Sequence, residues 1–518
     1  MNNPQCIVLN PSDNVGILIA AEKKGSLISV SGIDSNIEII LLNDIPSGHK
    51  IALRKIEENN PVIKSGQVIG LASGAISGGE HVHNHNIKAI DNSFFSFDTI
   101  KKAASYHNND IADLPKSFMG YERKDGRTGI RNYLLVISSS NCAASVVKKI
   151  GNYFSEKTFP GKNIDGIVPL TYAGGCALSK GGSSFHVFSK TLLGWLDHPN
   201  VTGAVIIGLG CEVITEKNLE IQYRELRGSK SENIPITSFS IQEAGGTQKA
   251  VEKGIVEVEK ILNAIPVFER REIPLSSLIL GLNCGGSDSL SAITANPALG
   301  IAGDYIVANK GSIVLAEYPE CHGAENQMLQ RCTHIKDKKI LLEIIEWWKN
   351  YTAQNNVSLD DNLSTGNKEG GISTILEKSM GAITKGGSTP INQVVRYAEK
   401  IERKGLVFMD TPGYDPVSVT GLIAGGCQMI AFTTGRGSVY GCSIAPVIKI
   451  TTNTGVFNRM RNDMDINAGK IVEGTNTLDV SREIYNFVIA VASGTKTGSE
   501  LNGIGWEEFM PWQVGETL

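Results

Sequence analysis

The chain has 518 residues, 41% of them hydrophobic. A chain of this length is too long for one compact core and predicts about two to four domains. The formal net charge is −4 and no run of lysine or arginine concentrates positive potential, so we expect no nucleic-acid partner. No window approaches the roughly 20 apolar residues of a membrane span, and no basic segment followed by an apolar one opens the chain. We therefore expect a cytoplasmic protein without membrane contact.

Residues 1–95 consist of short β-like segments separated by turn residues, among them CIVLN, VGILIA, SLISV, IEIILL and PVIKSGQVIGLA. Few stretches show the apolar spacing of a helix, so this region predicts a small β-rich domain. A polar stretch follows, and we interpret residues 96–118 as a linker.

From residue 119 to residue 273, strand and helix patterns alternate. YLLVISSS, GIVPLTY and GAVIIGLG are predicted as strands, and ASVVKKIGNYF, SKTLLGWL and residues 245–265 as helices. Such alternation is typical of parallel strands covered by helices, so this region predicts an α/β domain with a largely parallel sheet.

Residues 274–518 repeat the alternation and predict a second α/β domain of the same kind. The predicted buried strands are SLILGLNC, SIVLAEYP, GLVFMD and MIAFTTG, and the predicted helices are KILLEIIEWWKNYTAQ and QVVRYAEKIERK. Ligands of open parallel sheets bind beyond the carboxyl ends of the strands, and nearly every strand here runs into a Gly, Cys, Asp or Glu cluster. We therefore expect the chemistry on those loops.

Three histidines alternate near the end of the β-rich domain: His81, His83 and His85. In an extended chain alternate side chains share one face, and imidazole is a common ligand of iron, manganese and zinc. The segment therefore predicts a metal site. The alternative is a polar turn whose histidines face solvent.

A second cluster follows the predicted strand SIVLA and contains Glu320, Cys321 and His322. Carboxylate, thiol and imidazole could complete a metal shell or supply a general base. The alternative is an ordinary helix start, where glutamates favour the positive end of the helix dipole.

Glycine-rich turns at other strand ends carry polar and charged side chains. Amides and hydroxyls in such turns can hold carboxylate oxygens, arginine can bind a carboxylate through two hydrogen bonds, and a desolvated lysine can act as a base. These turns contribute Ser287, Asp288, Asn367, Lys368, Lys385 and Arg436. The alternative is that the glycines serve packing alone.

The segment DGRTGIRN precedes the first strand of the second domain and places Arg131 and Asn132 near a predicted substrate entrance. A solvated turn is the alternative. No Walker loop or G-x-G-x-x-G fingerprint stands between a strand and a helix, so nucleotide use is not expected.

Taken in order, HVHNHN, GLGCE, CGGSD, ITANP, GNKEGG, PGYD and TTGRG resemble the altronate and galactarate dehydratases over essentially the whole chain. The resemblance implies an N-terminal SAF domain, dehydration of a hexonate or hexarate to a 2-keto-3-deoxy acid, and an iron or manganese cofactor, Fe(II) or Mn(II). We expect His81 and His83, with His85 as a third, to contact the metal. The expected substrate contacts are Arg131, Asn132, Ser287, Asp288, Asn367, Lys368 and Arg436.

The general base is left open between Lys385 and His322, with Glu320 as a further catalytic candidate. TYAGGCALSKGGSS around Cys176, and Cys321 beside His322, depart from the family pattern. The substrate is therefore open between hexonates, hexarates and another hydroxy acid such as a sulfonated one. The sequence allows a homo-oligomer.

Two rival interpretations remain. Glycine-flanked cysteines could bind an iron–sulfur cluster, although the chain has no C-x-x-C; the cysteines concerned are Cys176, Cys211, Cys284, Cys321 and Cys427. Alternatively, the protein is a non-enzymatic sugar-acid-binding protein in which the α/β domains are a scaffold.

Overall fold

The structure of the protein is a computed structural model that describes residues 5–32, 37–89, 113–176, 178–515 and 517–518, without the side chains of 231–233. Of the predicted linker 96–118, residues 96–112 lie outside the described residues. Within the described ranges, every helix is too short or too polar to cross a bilayer. The predicted domain boundaries at 1–95, 119–273 and 274–518 stay predictions.

The N-terminal region is β-rich, as predicted. In β3, Ile28 and Val30 are buried while Leu27 and Ser29 are exposed, which is the period-two pattern of a strand with one face on the core. The strands are β1 Cys6–Ile7, β2 Val15–Leu18, β3 Leu27–Ser31, β4 Ile37–Ile40, β5 Lys50–Ala52, β6 Pro61–Lys64, β7 Gln67–Ala72, β8 His81–Val82 and β9 Ile87–Lys88. They form sheets of order β4-β3-β1-β2-β5-β8 and β6-β7-β9.

The second region contains a parallel sheet of order β13-β12-β14-β15 and an antiparallel sheet of order β11-β10-β16. All eight residues of β14 are buried, as expected for a strand covered on both faces by helices. The elements are β10 Ser117–Glu122, β11 Thr128–Gly129, β12 Tyr133–Ser138, α1 Ala144–Phe154, β13 Gly166–Leu170, α2 Ser183–Leu196, β14 Val201–Gly208, α3 Glu216–Arg227, β15 Ile236–Ser240, α4 Ile241–Ala244, α5 Thr247–Ala264 and β16 Arg271–Pro274.

The third region contains a parallel sheet of order β19-β20-β18-β17-β21-β22-β23. Its elements are β17 Ile279–Cys284, α6 Ala295–Ala308, β18 Ser312–Leu315, α7 Glu325–Arg331, α8 Ile335–Asn355, α9 Thr365–Glu369, α10 Ile375–Ala382, β19 Ile391–Val395, β20 Gly405–Met409, α11 Asp415–Ala424, β21 Met429–Thr434, β22 Val447–Thr451, α12 Thr454–Arg459, β23 Ile466–Asn467, α13 Thr477–Ala492 and α14 Gly498–Leu501. The expectation of an N-terminal β-rich domain followed by α/β domains with parallel sheets is therefore confirmed.

One predicted element is wrong. QVVRYAEKIERK, predicted as a helix, begins inside β19, whose residues pair in parallel with β20. Val394 and Val395 are both buried. Two adjacent buried β-branched residues suit a strand better than an amphipathic helix with one buried face. Ala398 then has a φ of 58°, which a helix does not accept.

A buried ion-pair group joins the N-terminal region to the third region. Glu377 of α10 lies 2.9 Å from Lys50 Nζ and 2.7 Å from Lys64 Nζ, and all three side chains are buried. Burial opposes ionisation of Glu377, but the two lysine charges lower its pKa to about 2. Because a buried charge without a partner is costly, this group holds the β-rich domain against α10.

Candidate functional site

A buried cluster of ionisable side chains lies at the carboxyl end of the seven-stranded sheet. Cys284 ends β17, Glu317 follows β18, and Lys385 lies in the 3-10 turn Ile383–Gly386 before β19. Lys385 Nζ is 2.6 Å from Cys284 Sγ and 3.3 Å from Glu317 Oε2, which also accepts a 3.0 Å hydrogen bond from the Cys284 amide. The sheet topology therefore brings together residues that are 101 positions apart.

Glu320, in the 3-10 turn Tyr318–Cys321, completes this cluster. Its Oε2 atom is 2.5 Å from Cys284 Sγ and 3.5 Å from Lys385 Nζ, and its Oε1 atom is 3.1 Å from Lys378 Nζ. We call Cys284, Glu317, Glu320, Lys378 and Lys385 the lysine–glutamate cluster. Each buried carboxylate in it has an ammonium partner, which is the condition for keeping charges inside a protein.

The backbone of Glu317 is strained. Its φ is 68°, a left-handed value that non-glycine residues seldom adopt, and its amide donates a 2.9 Å hydrogen bond to Thr411 Oγ1. Such strain is commonly held in place at active sites.

Protonation in the cluster follows from burial and neighbouring charge. Burial and the charge of Glu320 raise the pKa of Glu317 well above its ordinary value. Burial opposes ionisation of Glu320 as well, but Lys378 and Lys385 lower its pKa. Burial opposes the charge of Lys385, yet Cys284, Glu317 and Glu320 raise its pKa well above the ordinary value. The ammonium is thus held by three acidic neighbours.

Asp415, the first residue of α11, lies beside the lysine–glutamate cluster. Burial and then the charge of Glu320 raise its pKa to about 7. A Cβ atom on Gly285 would lie 2.4 Å from Asp415 Oδ2, so only glycine lets the loop after Cys284 pass this carboxyl group. Gly285 and Asp415 are half-buried, whereas the side chains of the lysine–glutamate cluster are buried.

Part of the lysine–glutamate cluster has the donor set of a metal site. The ligand atoms of Cys284, Glu317 and Glu320 all lie within 4.8 Å of one another, the one such group of His, Cys, Asp or Glu among the described residues. Glu317 Oε1 has no hydrogen-bond partner in the described part of the chain. Thiolate and carboxylate suit a divalent transition metal, so this triad could hold one.

The histidines predicted as metal ligands also come together, and His49 joins them. The ring centroid of His81 lies 5.1 Å from that of His49, 5.5 Å from that of His83 and 5.3 Å from that of His85. His49 Nδ1 is 3.0 Å from His81 Nε2, and His83 Nδ1 is 3.0 Å from Ser373 Oγ. These four histidines are the histidine cluster.

Burial favours the neutral form of three of the four histidines. Burial lowers the pKa of His49, that of His81 to about 3 and that of His83 to about 4. His49 and His83 are buried, His81 is half-buried and His85 is exposed. Neutral imidazole is the form that binds a metal.

Glu369 links the histidine cluster to the predicted anion-binding loops. His49 Nε2 is 3.1 Å from the Glu369 carbonyl oxygen, and Glu369 Oε2 pairs with Arg436 Nη2 at 2.9 Å. The Arg436 side chain is 47% exposed, and Lys368 beside Glu369 is exposed too. An exposed ion pair is worth little, so Arg436 can exchange Glu369 for a bound carboxylate.

Three predicted substrate contacts instead hold the loops together. Asp288 accepts hydrogen bonds from Ser291, Thr452 and Asn453. Asn367 Nδ2 donates to the Ser287 carbonyl oxygen at 2.9 Å. These contacts position the loop that follows Cys284. A direct contact of Ser287, Asp288 or Asn367 with substrate stays a prediction.

Arg131 and Asn132 lie elsewhere, beside α13 and α14. All five N–H groups of Arg131 donate within the protein, two of them to Glu500 at 2.7 and 3.0 Å. Asn132 is fully buried and donates to the Asn163 carbonyl oxygen and to Asp165. Their predicted role as substrate contacts stays a prediction, while these bonds favour a structural one.

His322 lies at the edge of the lysine–glutamate cluster, 28% exposed. Its Nδ1 atom is 2.9 Å from Glu325 Oε1. Burial opposes its charge, but the hydrogen bond and charge of Glu325 raise its pKa. A histidine biased towards its protonated form is better suited to donate a proton than to accept one.

Sequence reasoning missed His49, Lys378 and Asp415 as members of these clusters. His49 stands alone in SGHK and gives no motif, because it reaches His81 through the pairing of β5 with β8. Lys378 shows only as one charge on a helix. Asp415 lies in PGYD, directly after a predicted strand, and that position was the available signal.

Buried acid, lysine, thiol and imidazole groups gathered at strand ends, beside a half-exposed arginine, define an enzyme that acts on a small anionic molecule. Three family descriptions match the chain: "Altronate/galactarate dehydratase SAF domain" over residues 4–90, "D-galactarate dehydratase/Altronate hydrolase, second domain" over 120–266, and "D-galactarate/Altronate dehydratase, C-terminal" over 275–517. The chain belongs to the altronate/galactarate dehydratase family and to the hydro-lyase class of enzymes.

Full-length relatives agree. The chain is 34% identical to the altronate dehydratase of Bacillus subtilis (strain 168), with 99% of each chain covered. It is 32% identical to the altronate dehydratase of Escherichia coli (strain K12), covering 99% of this chain and 100% of the relative. The galactarate dehydratase (L-threo-forming) of the same strain is also 32% identical, with 95% and 93% covered.

Proposed function

We propose that the protein dehydrates a hexonate or hexarate sugar acid to a 2-keto-3-deoxy acid with Fe(II) or Mn(II) as its metal. One observation carries this proposal: a series of contacts runs from His49 of the histidine cluster through Glu369 to Arg436 and Gly286, two residues after Cys284 of the lysine–glutamate cluster. Ser289 N donates to the Gly370 carbonyl oxygen and Arg436 N to that of Gly286, so the loop after Cys284 joins the two clusters.

The reaction explains why both clusters are needed. A proton on the carbon beside a carboxylate is weakly acidic, so its removal requires a base and stabilisation of the charge that develops on the substrate. Departure of the β-hydroxyl group requires a proton donor. The histidine cluster fits the stabilisation of charge through a metal, and the lysine–glutamate cluster fits both proton transfers, acceptance of the α-proton and donation to the leaving hydroxyl group.

We assign the metal to the histidine cluster, with His81 and His83 as ligands and His49 beside them. His49 Nδ1 and His81 Nε2 are 3.0 Å apart, so His49 would lie beside an ion held by His81 and His83. A bound divalent cation would supply stabilisation of charge on the substrate carboxylate. His85, which is exposed, is the outer member of the set.

The triad of Cys284, Glu317 and Glu320 is the second candidate for the metal. Lys385 already contacts all three residues, at 2.6, 3.3 and 3.5 Å. A cation there would have to displace this ammonium, whereas burial favours the neutral, metal-binding form of His49, His81 and His83. We therefore assign the triad to proton transfer together with Lys385.

The substrate carboxylate is assigned to Arg436 and Lys368. The guanidinium fork matches a carboxylate with two parallel hydrogen bonds, and Lys368 adds positive charge on the same loop as Glu369. Lys385 holds a proton that it can deliver towards the leaving hydroxyl group, while Glu317 and Glu320 keep it oriented. His322 is a second proton donor at the edge of the cluster.

The proposal is tested with chelator-treated protein that receives Fe(II), Mn(II), Zn(II) or no metal. Each sample is offered aldonates, aldarates and a sulfonated hydroxy acid, and 2-keto-acid formation is measured. We expect turnover of a hexonate or hexarate with Fe(II) or Mn(II), and none after chelation. Full turnover without metal would refute the metal, turnover of the sulfonated acid alone would refute the substrate class, and tight sugar-acid binding without turnover would refute the enzyme.

Metal content separates the two candidate sites. With His81→Ala/His83→Ala, bound iron or manganese should be lost, whereas Glu317→Gln should retain it. The opposite result would move the metal to the Cys284 triad.

A further inference from the structure

The cysteines of the chain fall into two groups by exposure. Six are buried, and the three exposed ones are Cys142, Cys176 and Cys211. An exposed thiol is open to oxidation. Three exposed thiols in one protein therefore suggest that they bind a ligand or react. The lysine–glutamate and histidine clusters employ none of these three residues.

All three exposed cysteines follow adjacent parallel strands of the second region. Cys142 comes after β12, Cys176 after β13 and Cys211 after β14, and β12 lies between the other two strands in the sheet. Because the carboxyl ends of parallel strands share one edge, the three loops open towards the same place. In sequence the cysteines are more than 30 positions apart, so no short motif announces them.

Hydrogen bonds tie these loops together. The Asn141 amide donates to the Gly174 carbonyl oxygen at 2.9 Å, which fixes the loop of Cys142 against that of Cys176. Ser139 Oγ donates to Glu212 Oε1 at 2.5 Å, which fixes the same loop against that of Cys211. Gly175 must be glycine, since a Cβ atom there would lie 2.8 Å from the Ser139 carbonyl oxygen and its φ is 94°.

An unpaired polar group lies next to one of these thiols. Ser140, next to Cys142, is fully buried, and its hydroxyl has no hydrogen-bond partner among the described residues. A polar group of this kind is common beside a site that binds something.

The edge also borders a cleft. This cleft of about 420 Å³ is lined by Asn141 and Ala144, which flank Cys142, by Ala173 before Cys176, and by Tyr414. Tyr414 directly precedes Asp415 in the sequence, so the loop that carries Asp415 also contributes to this cleft.

We propose that Cys142, Cys176 and Cys211 are the three protein ligands of an iron–sulfur cluster at the carboxyl edge of the second domain's parallel sheet. Thiolates are the ligands that such clusters use, and ligands from separate loops need no C-x-x-C. The proposal is independent of the metal assigned to the histidine cluster, because no residue is shared.

The spacing of the thiols favours a cluster over a single ion. A tetrahedral zinc ion with Zn–S bonds of about 2.3 Å holds its sulfurs roughly 3.8 Å apart. Among the described residues, only the Cys284 triad brings three such ligand atoms within 4.8 Å, so the three exposed sulfurs are spread more widely. Sulfurs bound to different irons of one cluster are separated in this way.

The acid next to Cys211 is already occupied within the protein. The carboxylate of Glu212 accepts hydrogen bonds from Ser139 Oγ and from the amides of Leu209, Gly210 and Cys211. Structural zinc sites close their shell with four protein ligands. Three thiolates without a fourth fit a cluster that leaves one iron without a protein ligand.

The test uses the full chain, purified without oxygen and reconstituted with iron and sulfide. We expect a broad visible absorption band, equal amounts of iron and acid-labile sulfide, and protection of three thiols from a thiol reagent. Cys142→Ser, Cys176→Ser and Cys211→Ser should each lower bound sulfide at least about tenfold, since a ligand is lost. Cys332→Ala, a buried cysteine elsewhere, and Glu317→Gln should retain the cluster.

Unchanged melting temperatures will show that the serine variants are folded, as expected for exposed positions. Failure to bind iron and sulfide, sulfide binding that survives in the triple serine variant, zinc in place of iron, or a disulfide as the only product would each overturn the proposal. Loss of the cluster with intact 2-keto-acid formation would leave the proposed function standing.

Discussion

The histidine cluster and the lysine–glutamate cluster are both groups of ionisable side chains connected through the loop after Cys284, but they avoid the cost of burial in opposite ways. The histidines give up their charge, since burial lowers the pKa of His81 to about 3 and that of His83 to about 4. The lysine–glutamate cluster instead pairs charges: Lys378 and Lys385 lower the pKa of Glu320, and the acidic neighbours of Lys385 raise the pKa of that lysine. Neutralisation and pairing are the two routes open to a buried ionisable group.

The difference predicts how each cluster responds to mutation. A neutral side chain can be removed without leaving a bare charge behind. A paired one cannot, because its partner then stays buried and unpaired. Function and stability should therefore separate in the histidine cluster and fall together in the lysine–glutamate cluster.

The largest effect is expected for Lys385→Met. Turnover should fall by about a thousandfold, as for loss of a general acid or base, and the free energy of unfolding by about 3–5 kcal/mol, because Glu317 and Glu320 lose a buried partner. Turnover and denaturant unfolding are measured on the same protein. Lys23→Met, whose side chain is 85% exposed, is the matched control and should change neither.

Lys385→Arg separates the two roles of the lysine. It keeps the positive charge, so stability should largely return while turnover stays low. Full activity in Lys385→Arg would show that the charge alone matters and that no proton passes through this position.

The next effect is expected for His81→Ala/His83→Ala. Turnover should fall at least about a hundredfold with the loss of metal ligands, whereas the free energy of unfolding should change by roughly 1 kcal/mol or less. Metal content, melting temperature and turnover are compared with those of His334→Ala, an exposed histidine. Normal turnover with bound metal would return these histidines to the solvated turn considered from the sequence.

A smaller effect is expected for Arg436→Lys. A lysine keeps the charge but loses the fork, which should cost about 1.5–3 kcal/mol of substrate binding, or roughly ten- to a hundredfold in kcat/KM. The fold should be unaffected, since Arg436 pairs only with the exposed Glu369 in the described structure. An unchanged kcat/KM would place the carboxylate elsewhere.

The comparison also shows what the sequence could reveal. Three of the four residues of the histidine cluster were predicted from the sequence, because His81, His83 and His85 alternate along one short segment. The lysine–glutamate cluster was visible only in pieces: Glu320 and Lys385 stood out as loop residues, but their contact with Cys284 depends on the strand order β18-β17 and on the turn before β19. Sheet order is set by long-range packing, which local spacing does not encode.

Strand and helix types were predicted well where the pattern was long and failed where it was short. The helix Ile335–Asn355 was predicted from its long apolar pattern, whereas Val394 and Val395 were assigned to a helix that does not form. A β-branched pair followed by Tyr397, Ala398 and Ile401 fits helical spacing on paper. Pairing with β20 decides it instead, and pairing is a tertiary contact.

The smallest effect on catalysis is expected at Arg131, which the sequence marked as a substrate contact. Because all five of its N–H groups donate to Glu500 and to backbone carbonyls, Arg131→Lys should lower the free energy of unfolding by about 1–3 kcal/mol through lost hydrogen bonds. The KM and kcat of the folded fraction should match those of the unmutated protein and of Arg459→Lys, an exposed control. If KM instead rises while the melting temperature is unchanged, Arg131 must leave Glu500 to bind substrate, and the substrate site then includes residues of the second domain.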